Sequence, residues 1–146
     1  MATMECDILI VEDNPTDAEL MVRVLRRAKV ANAITVVEDG AEALDYLLGT
    51  GAHSDRPNHG TPRAVLLDLK LPKLSGLEVL RHIRSDDRLR HLPVVVVTSS
   101  SEEPDIAEAY RLGVNSYVVK PVEFERFAEA MTHVGLYWML VNVPPV

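Results

Sequence analysis

Ile8-Leu-Ile-Val-Glu-Asp-Asn-Pro15 is the stretch that decides how the chain is read. Its four apolar, mostly β-branched residues show no alternation with polar ones. That is the pattern of a strand covered on both faces, as in a parallel sheet flanked by helices. Two acids follow directly. Asn14-Pro15 then reads as a helix N-cap with proline at the first helical position.

Working outward, similar apolar runs occur at Ala64 to Leu67, Val94 to Val97 and Tyr117 to Val119, and more weakly at Ile34 to Val37. Helical patterns lie between them. Leu20, Val24 and Leu25, with Met21 and Ala28, are expected to form one apolar face. Gly40 to Leu48 reads as a shorter helix. Ser75-Gly-Leu-Glu78 has the spacing of a capping box, and Leu77, Leu80 and Ile83 follow on one face. Pro104 opens a fourth helix through Leu112, which Gly113 ends. Glu123 to about Leu140 is the fifth and longest. Strand then helix, five times over, predicts an α/β domain with a doubly wound parallel sheet and right-handed crossovers. Gly49 to Arg63, rich in Gly, Pro, His and Asn, is expected to be a surface loop.

The 146 residues suit a single domain spanning 1–146, and 47% hydrophobic residues suffice for its core. A net charge of −7 argues against a nucleic-acid surface, which requires clustered Lys and Arg. Cys6 is the sole cysteine, so no intrachain disulfide can form. Met1 to Asp7 lacks a signal-peptide core, and no apolar run reaches the length of a membrane span. The expectation is a cytoplasmic protein that binds neither nucleic acid nor membrane.

In open parallel sheets, ligands bind beyond the carboxyl ends of the strands. The first strand runs into Glu12-Asp13, the third into Asp68, the fourth into Thr98-Ser99 and the fifth into Lys120-Pro121. Three carboxylates at one edge repel one another, so one pKa rises unless a cation intervenes. All-oxygen ligation suits Mg²⁺ or Mn²⁺. Asp13 and Asp68 are expected to ligate directly, Glu12 through water, with the backbone carbonyl of Lys70 as a further ligand. Asp68 is then a candidate nucleophile toward phosphorus. The cation, Lys120 and Thr98 would each neutralise or bond a phosphoryl oxygen. Taken singly, such an Asp is a turn residue and such a Lys a solvated charge. The agreement of four strand ends is what points to chemistry.

Ile8 to Asn14, Val65-Leu-Leu-Asp-Leu-Lys-Leu-Pro72 with Gly76, Val94 to Thr98, and Tyr117-Val-Val-Lys-Pro121 together resemble the CheY-like receiver domains of two-component response regulators. The resemblance covers nearly the whole chain. It implies a flavodoxin-like (βα)5 fold with strand order 2-1-3-4-5. It makes Asp68 the phosphoacceptor, Glu12 and Asp13 the metal pair, Thr98 the switch hydroxyl, Lys120 the phosphate-sensing lysine and Tyr117 the switching aromatic. It also implies a cis Lys120-Pro121 bond. Such a protein takes its phosphoryl group from a sensor histidine kinase and catalyses only its own Mg²⁺-dependent phosphorylation and dephosphorylation. The loop before the third strand, Tyr110 to Tyr117, and the ending Gly135 to Pro145 look like the small response regulators partnered with bacterial phytochrome kinases.

Two positions are less standard. Lys70 sets a positive side chain near the acceptor, where it would shape water access, and Ser99 and Ser100 are small enough to leave the site open. No effector domain is expected after the last helix. Phe124, Phe127, Met131, Val134, Trp138 and Val141 form a stripe that covers the sheet. Leu136, Tyr137, Met139 and Leu140 make the last turn apolar all round. A homodimer through the fourth helix, fifth strand and fifth helix is therefore expected.

Three other readings compete. A haloacid dehalogenase-type phosphatase needs a second acid two residues after its nucleophile, where Lys70 stands. No P-loop or G-x-G-x-x-G occurs. His53, His59, His82, His91 and His133 lack metal-ligand spacing and read as surface residues. A receiver-like module that never uses phosphate would not need three acids at one sheet edge.

Overall fold

The computed structural model describes residues 8–27, 33–54 and 61–133. Its elements run in the expected order. β1 (Ile8–Val11) leads to α1 (Pro15–Arg27), and β2 (Ile34–Val37) to α2 (Gly40–Leu48) and a short 3₁₀ turn (Gly51–His53). β3 (Ala64–Leu67) leads to α3 (Gly76–Ser85), β4 (Val94–Thr98) to α4 (Glu103–Arg111), and β5 (Ser116–Val119) to α5 (Phe124–His133). The five strands are parallel, in the order β2-β1-β3-β4-β5.

Side-chain alternation along the buried strands builds two cores, one on each face. Ile8, Ile10, Ala64, Leu66, Val95 and Val97 pack against Met21 and Leu25 of α1 and Phe127 of α5. Leu9, Val11, Val65, Leu67, Val94 and Val96 face Ala43 and Leu47 of α2, Val79, Leu80 and Ile83 of α3, and Ala109 of α4. β1, β3 and β4 are buried at every position, which is why they show no polar alternation in sequence.

The edge strands behave differently. β5 alternates buried and half-buried residues, so its apolar run does not reflect cover on both faces. β2 is mostly half-buried, with Val36 exposed. The apolar face of α1 also differs from the expected one. Ala18, Met21, Val24 and Leu25 are buried, whereas Leu20 is 38% exposed. At 100° per residue, Leu20 falls about 40° outside the arc that these residues span and about 100° from its centre. Ala28 lies outside the described residues.

The caps match the sequence closely. Asn14 Oδ1 accepts the N–H groups of Thr16 and Asp17 at 2.9 and 3.1 Å. Asp39 Oδ1 accepts from Glu42 N at 2.7 Å. Ser75 Oγ accepts from Glu78 N, and the Glu78 carboxylate takes the Ser75 hydroxyl rather than its backbone N–H. At the far end of the sheet, Arg84 ties α3 to the two segments that precede β4 and β5. Its guanidinium donates to the carbonyls of Gly113, Arg90 and Leu92 and to Asn115 Oδ1, which also accepts from Val94 N.

His53 is half-buried, with Nε2 3.2 Å from Glu42 Oε2 and its ring edge-on to Tyr46, so it is not a free surface residue. His59, the side chains of Met131 and His133, and the apolar residues expected from Val134 onward lie outside the described side chains. Among the described residues, no helix is long and apolar enough to cross a membrane.

Candidate functional site

Register brings the acids together. Val11 pairs with Leu67, so Glu12 and Asp68 leave adjacent strands side by side. Their backbones hold that position: Glu12 N donates to Val37 O at 3.0 Å, and Asp68 N to Val11 O at 3.1 Å. Thr98 pairs with Val119, and Lys120 N donates to Thr98 O at 2.8 Å. The lysine is thereby delivered to the same edge. The Lys120-Pro121 bond is cis.

Carboxylate oxygens of Glu12, Asp13 and Asp68 all lie within 4.8 Å of one another. Glu12 and Asp68 are buried, while Asp13 is exposed at the mouth. Lys120 Nζ reaches Glu12 Oε1 at 2.5 Å, Asp17 Oδ2 at 2.9 Å and Asp68 Oδ2 at 3.0 Å. An ammonium has three donors and no acceptor, so these three carboxylates use it completely.

The electrostatics follow from burial. Desolvation pushes the Glu12 carboxyl up to about 7, assisted by the nearby Asp68 charge and opposed by hydrogen bonds from Lys120 and Asn14. Burial also works against the Lys120 charge, but hydrogen bonds to Glu12, Asp17 and Asp68 outweigh it and hold its pKa above the ordinary value. A buried acid short of compensation, among oxygen donors only, suits a hard divalent cation.

The loop after Asp68 is packed tightly. Gly76 N donates to Leu69 O at 2.8 Å, and a Cβ at Gly76 would stand 2.1 Å from Asp68 O. Only glycine lets α3 start this close to the acceptor's backbone. At Gly40 a Cβ would meet Leu74 O at 2.0 Å, so the start of α2 presses on the same loop. Lys70 N lies 3.4 Å from Asp68 Oδ1, while the Lys70 side chain is exposed.

Thr98 is fully buried, and its Oγ1 accepts from Ser100 N at 3.4 Å. Ser100 does not leave the site open. It is buried, and its hydroxyl donates to Asp105 Oδ2 at 2.5 Å. Ser99 is exposed. Tyr117 directs its hydroxyl to Ser100 O at 3.0 Å, which links β5 to the segment leaving Thr98. Burial raises the Tyr117 pKa.

Sequence reasoning missed Asp17. The available signal was an acid in the first turn of α1, four residues beyond Asp13, but such acids are ordinary at helix starts. Its link to Lys120 joins residues too distant in the chain for any local pattern to show.

The fold and this edge of acids around one lysine define a CheY-like receiver domain. The chain belongs to the response regulator receiver domain family, whose model matches residues 8–132. It is similar to the solved bacteriophytochrome response regulator AtBRR, with 53% identity, a TM-score of 0.82, and coverage of 95% of this chain and 99% of that one. Against the bacteriophytochrome response regulator RtBRR the values are 52%, 0.83, 94% and 82%. The Mn²⁺-bound form of response regulator Rcp1 matches at 33% identity and a TM-score of 0.75, covering 95% and 98%. Rcp1 of Synechocystis sp. also matches by sequence, with 33% identity over 132 residues, 90% of this chain and 88% of that protein. Proteins of this family act in two-component signalling with histidine kinases.

Proposed function

We propose that Asp68 accepts the phosphoryl group, drawn from the phosphohistidine of a phytochrome-type sensor histidine kinase. The observation that carries this reading is the hydrogen bond from Lys120 Nζ to Asp68 Oδ2 at a carboxylate edge fed by three strands. The Asp68 carboxylate attacks phosphorus, and the P–N bond of the donor breaks with its electron pair returning to the imidazole. Lys120 turns one donor onto a phosphoryl oxygen, and the Lys70 N–H stands ready for another. Glu12, Asp13 and Asp68, with the Lys70 carbonyl, would hold Mg²⁺ or Mn²⁺. When bound, that cation supplies neutralisation of the phosphoryl oxygens.

Thr98 and Tyr117 form the switch. If the Thr98 hydroxyl turns to the phosphoryl group, it gives up the N–H of Ser100, and Ser100 O is what Tyr117 bonds. The output face is then α4, β5 and α5. A cavity of about 460 Å³ lies there, away from the acidic edge, lined by Tyr110, Tyr117, Arg126 and Glu129 among others. Tyr110 is 52% exposed. We read this face as a homodimer contact of a cytoplasmic regulator.

Incubation with Mg²⁺ and a small phosphodonor, followed by intact mass measurement, tests the site. The expected result is one phosphate adduct, lost in Asp68→Asn. No adduct with any donor would favour a receiver-like module that works without phosphate. Light scattering at micromolar concentration tests the dimer, and a monomer in both phosphorylation states would overturn it.

A further inference from the structure

From the geometry around Lys120 we infer that Asp17 is a positioning residue for the phosphoryl-transfer step, holding the lysine ammonium over Asp68 from the first turn of α1. The inference rests on the reading of Asp68 as phosphoacceptor.

Asp17 occupies the third helical position after the Asn14 cap. An acid there ordinarily reaches back to the N–H of the capping residue. Here that N–H is already taken, since Asn14 N donates to Glu12 Oε2 at 3.1 Å. Asp17 is thus released from the usual helix-start role. Its Oδ2 instead accepts from Lys120 Nζ at 2.9 Å.

The three acceptors on Lys120 are not equivalent. Glu12 and Asp68 belong to the cluster that fits a divalent cation, and Asp17 does not. A cation held by that cluster would draw on the same two carboxylates that the ammonium uses. Asp17 is then the carboxylate left to keep Lys120 in place. A lysine held over Asp68 before the reaction has only one donor to turn when charge develops on the phosphoryl oxygens. Without the cation the ammonium is held from two strand ends, by Glu12 and Asp68, and from a helix, by Asp17. The Asp17 side chain is 37% exposed, which leaves substitution tolerable for folding.

The test compares the full-length chain with Asp17→Ala and Asp17→Asn at saturating Mg²⁺, using acetyl phosphate as donor and intact mass as readout. Asp17→Ala is expected to lower the maximal rate about threefold to tenfold, as for loss of one partly exposed charge-assisted hydrogen bond. Half-saturation by donor should stay unchanged. Asp17→Asn keeps an acceptor oxygen and should recover part of the rate. A second readout needs neither metal nor phosphate: the ¹⁵N resonance of the Lys120 ammonium, assigned through Lys120→Met. Its hydrogens should exchange faster in Asp17→Ala than in wild type. A wild-type maximal rate in Asp17→Ala, or an unchanged ammonium resonance, would overturn the inference. Failure of the wild-type chain to take phosphate would instead count against the Asp68 reading, and the ammonium resonance would still decide the tether.

Discussion

Replacing Glu12 by Gln should stabilise the metal-free protein. Glu12 is 1% exposed, and burial lifts its carboxyl from an ordinary 4.5 to about 7. Between those values the folded chain holds a proton that the unfolded chain has released. Stability therefore falls as pH rises through this window, and the loss is complete above it. At about 1.4 kcal/mol for each factor of ten in proton affinity, the penalty at pH 8 is about 3 kcal/mol. Gln has the shape of the protonated acid without its titration but keeps only one acceptor oxygen for Lys120 or Asn14, so it removes part of that penalty. For a chain of this size the full penalty corresponds to roughly 10 °C in Tm, which is the ceiling on the gain. Thermal unfolding across a pH series without divalent cations is the assay. The two proteins should unfold alike at the acid end and diverge progressively above it. Saturating Mg²⁺ should then raise wild type toward the variant, since a ligand at 100 times its Kd adds about 2.7 kcal/mol. A variant no more stable than wild type at pH 8, or one with a pH-independent gain, would refute the reasoning.

Three further outcomes are expected. Arg84→Ala should lower stability by about 2–3 kcal/mol in urea unfolding, and Arg84→Lys should not restore it, because an ammonium cannot serve carbonyls spread across a planar fork. Gly76→Ala should cost about 2–4 kcal/mol through collision with Asp68 O, and should also slow phosphate uptake in the mass assay, since the displaced atom belongs to the acceptor's backbone. Tyr117→Phe should cost only about 1 kcal/mol in thermal unfolding, the worth of one ordinary hydrogen bond, while uptake of phosphate stays intact.

Most of the fold was legible because its central strands are covered on both faces and two of its helix starts are marked by Asn14 and Ser75. The same pattern failed at the margins. β5 reads as an apolar run yet alternates in burial, because an edge strand has one neighbour fewer. Leu20 is apolar but lies off the buried arc of α1. At the site, Glu12, Asp13, Asp68, Thr98 and Lys120 were legible from their places at the carboxyl ends of the strands. Asp17 was not, since it sits in the first turn of α1 while its partner Lys120 follows β5. Gly76 was visible as part of a motif, but only the close approach of α3 to Asp68 gives the reason for glycine. Ser100 read as an open position because its partner Asp105 sits in the next helix.

The two ends of the sheet are braced by different cations. At one end Arg84 presents a rigid fork whose contacts are mostly backbone carbonyls, which cannot leave without unfolding the segments that carry them. At the other, Lys120 presents a rotatable ammonium to carboxylates on flexible stems, each able to take another partner. The contacts at the first end are tied to the backbone, whereas those at the second can exchange partners by side-chain rotation alone. A rearrangement begun near Asp68 is expected to leave strand register anchored at the far end. Exchanging the two residue types would invert that arrangement, loosening the first end and locking the second.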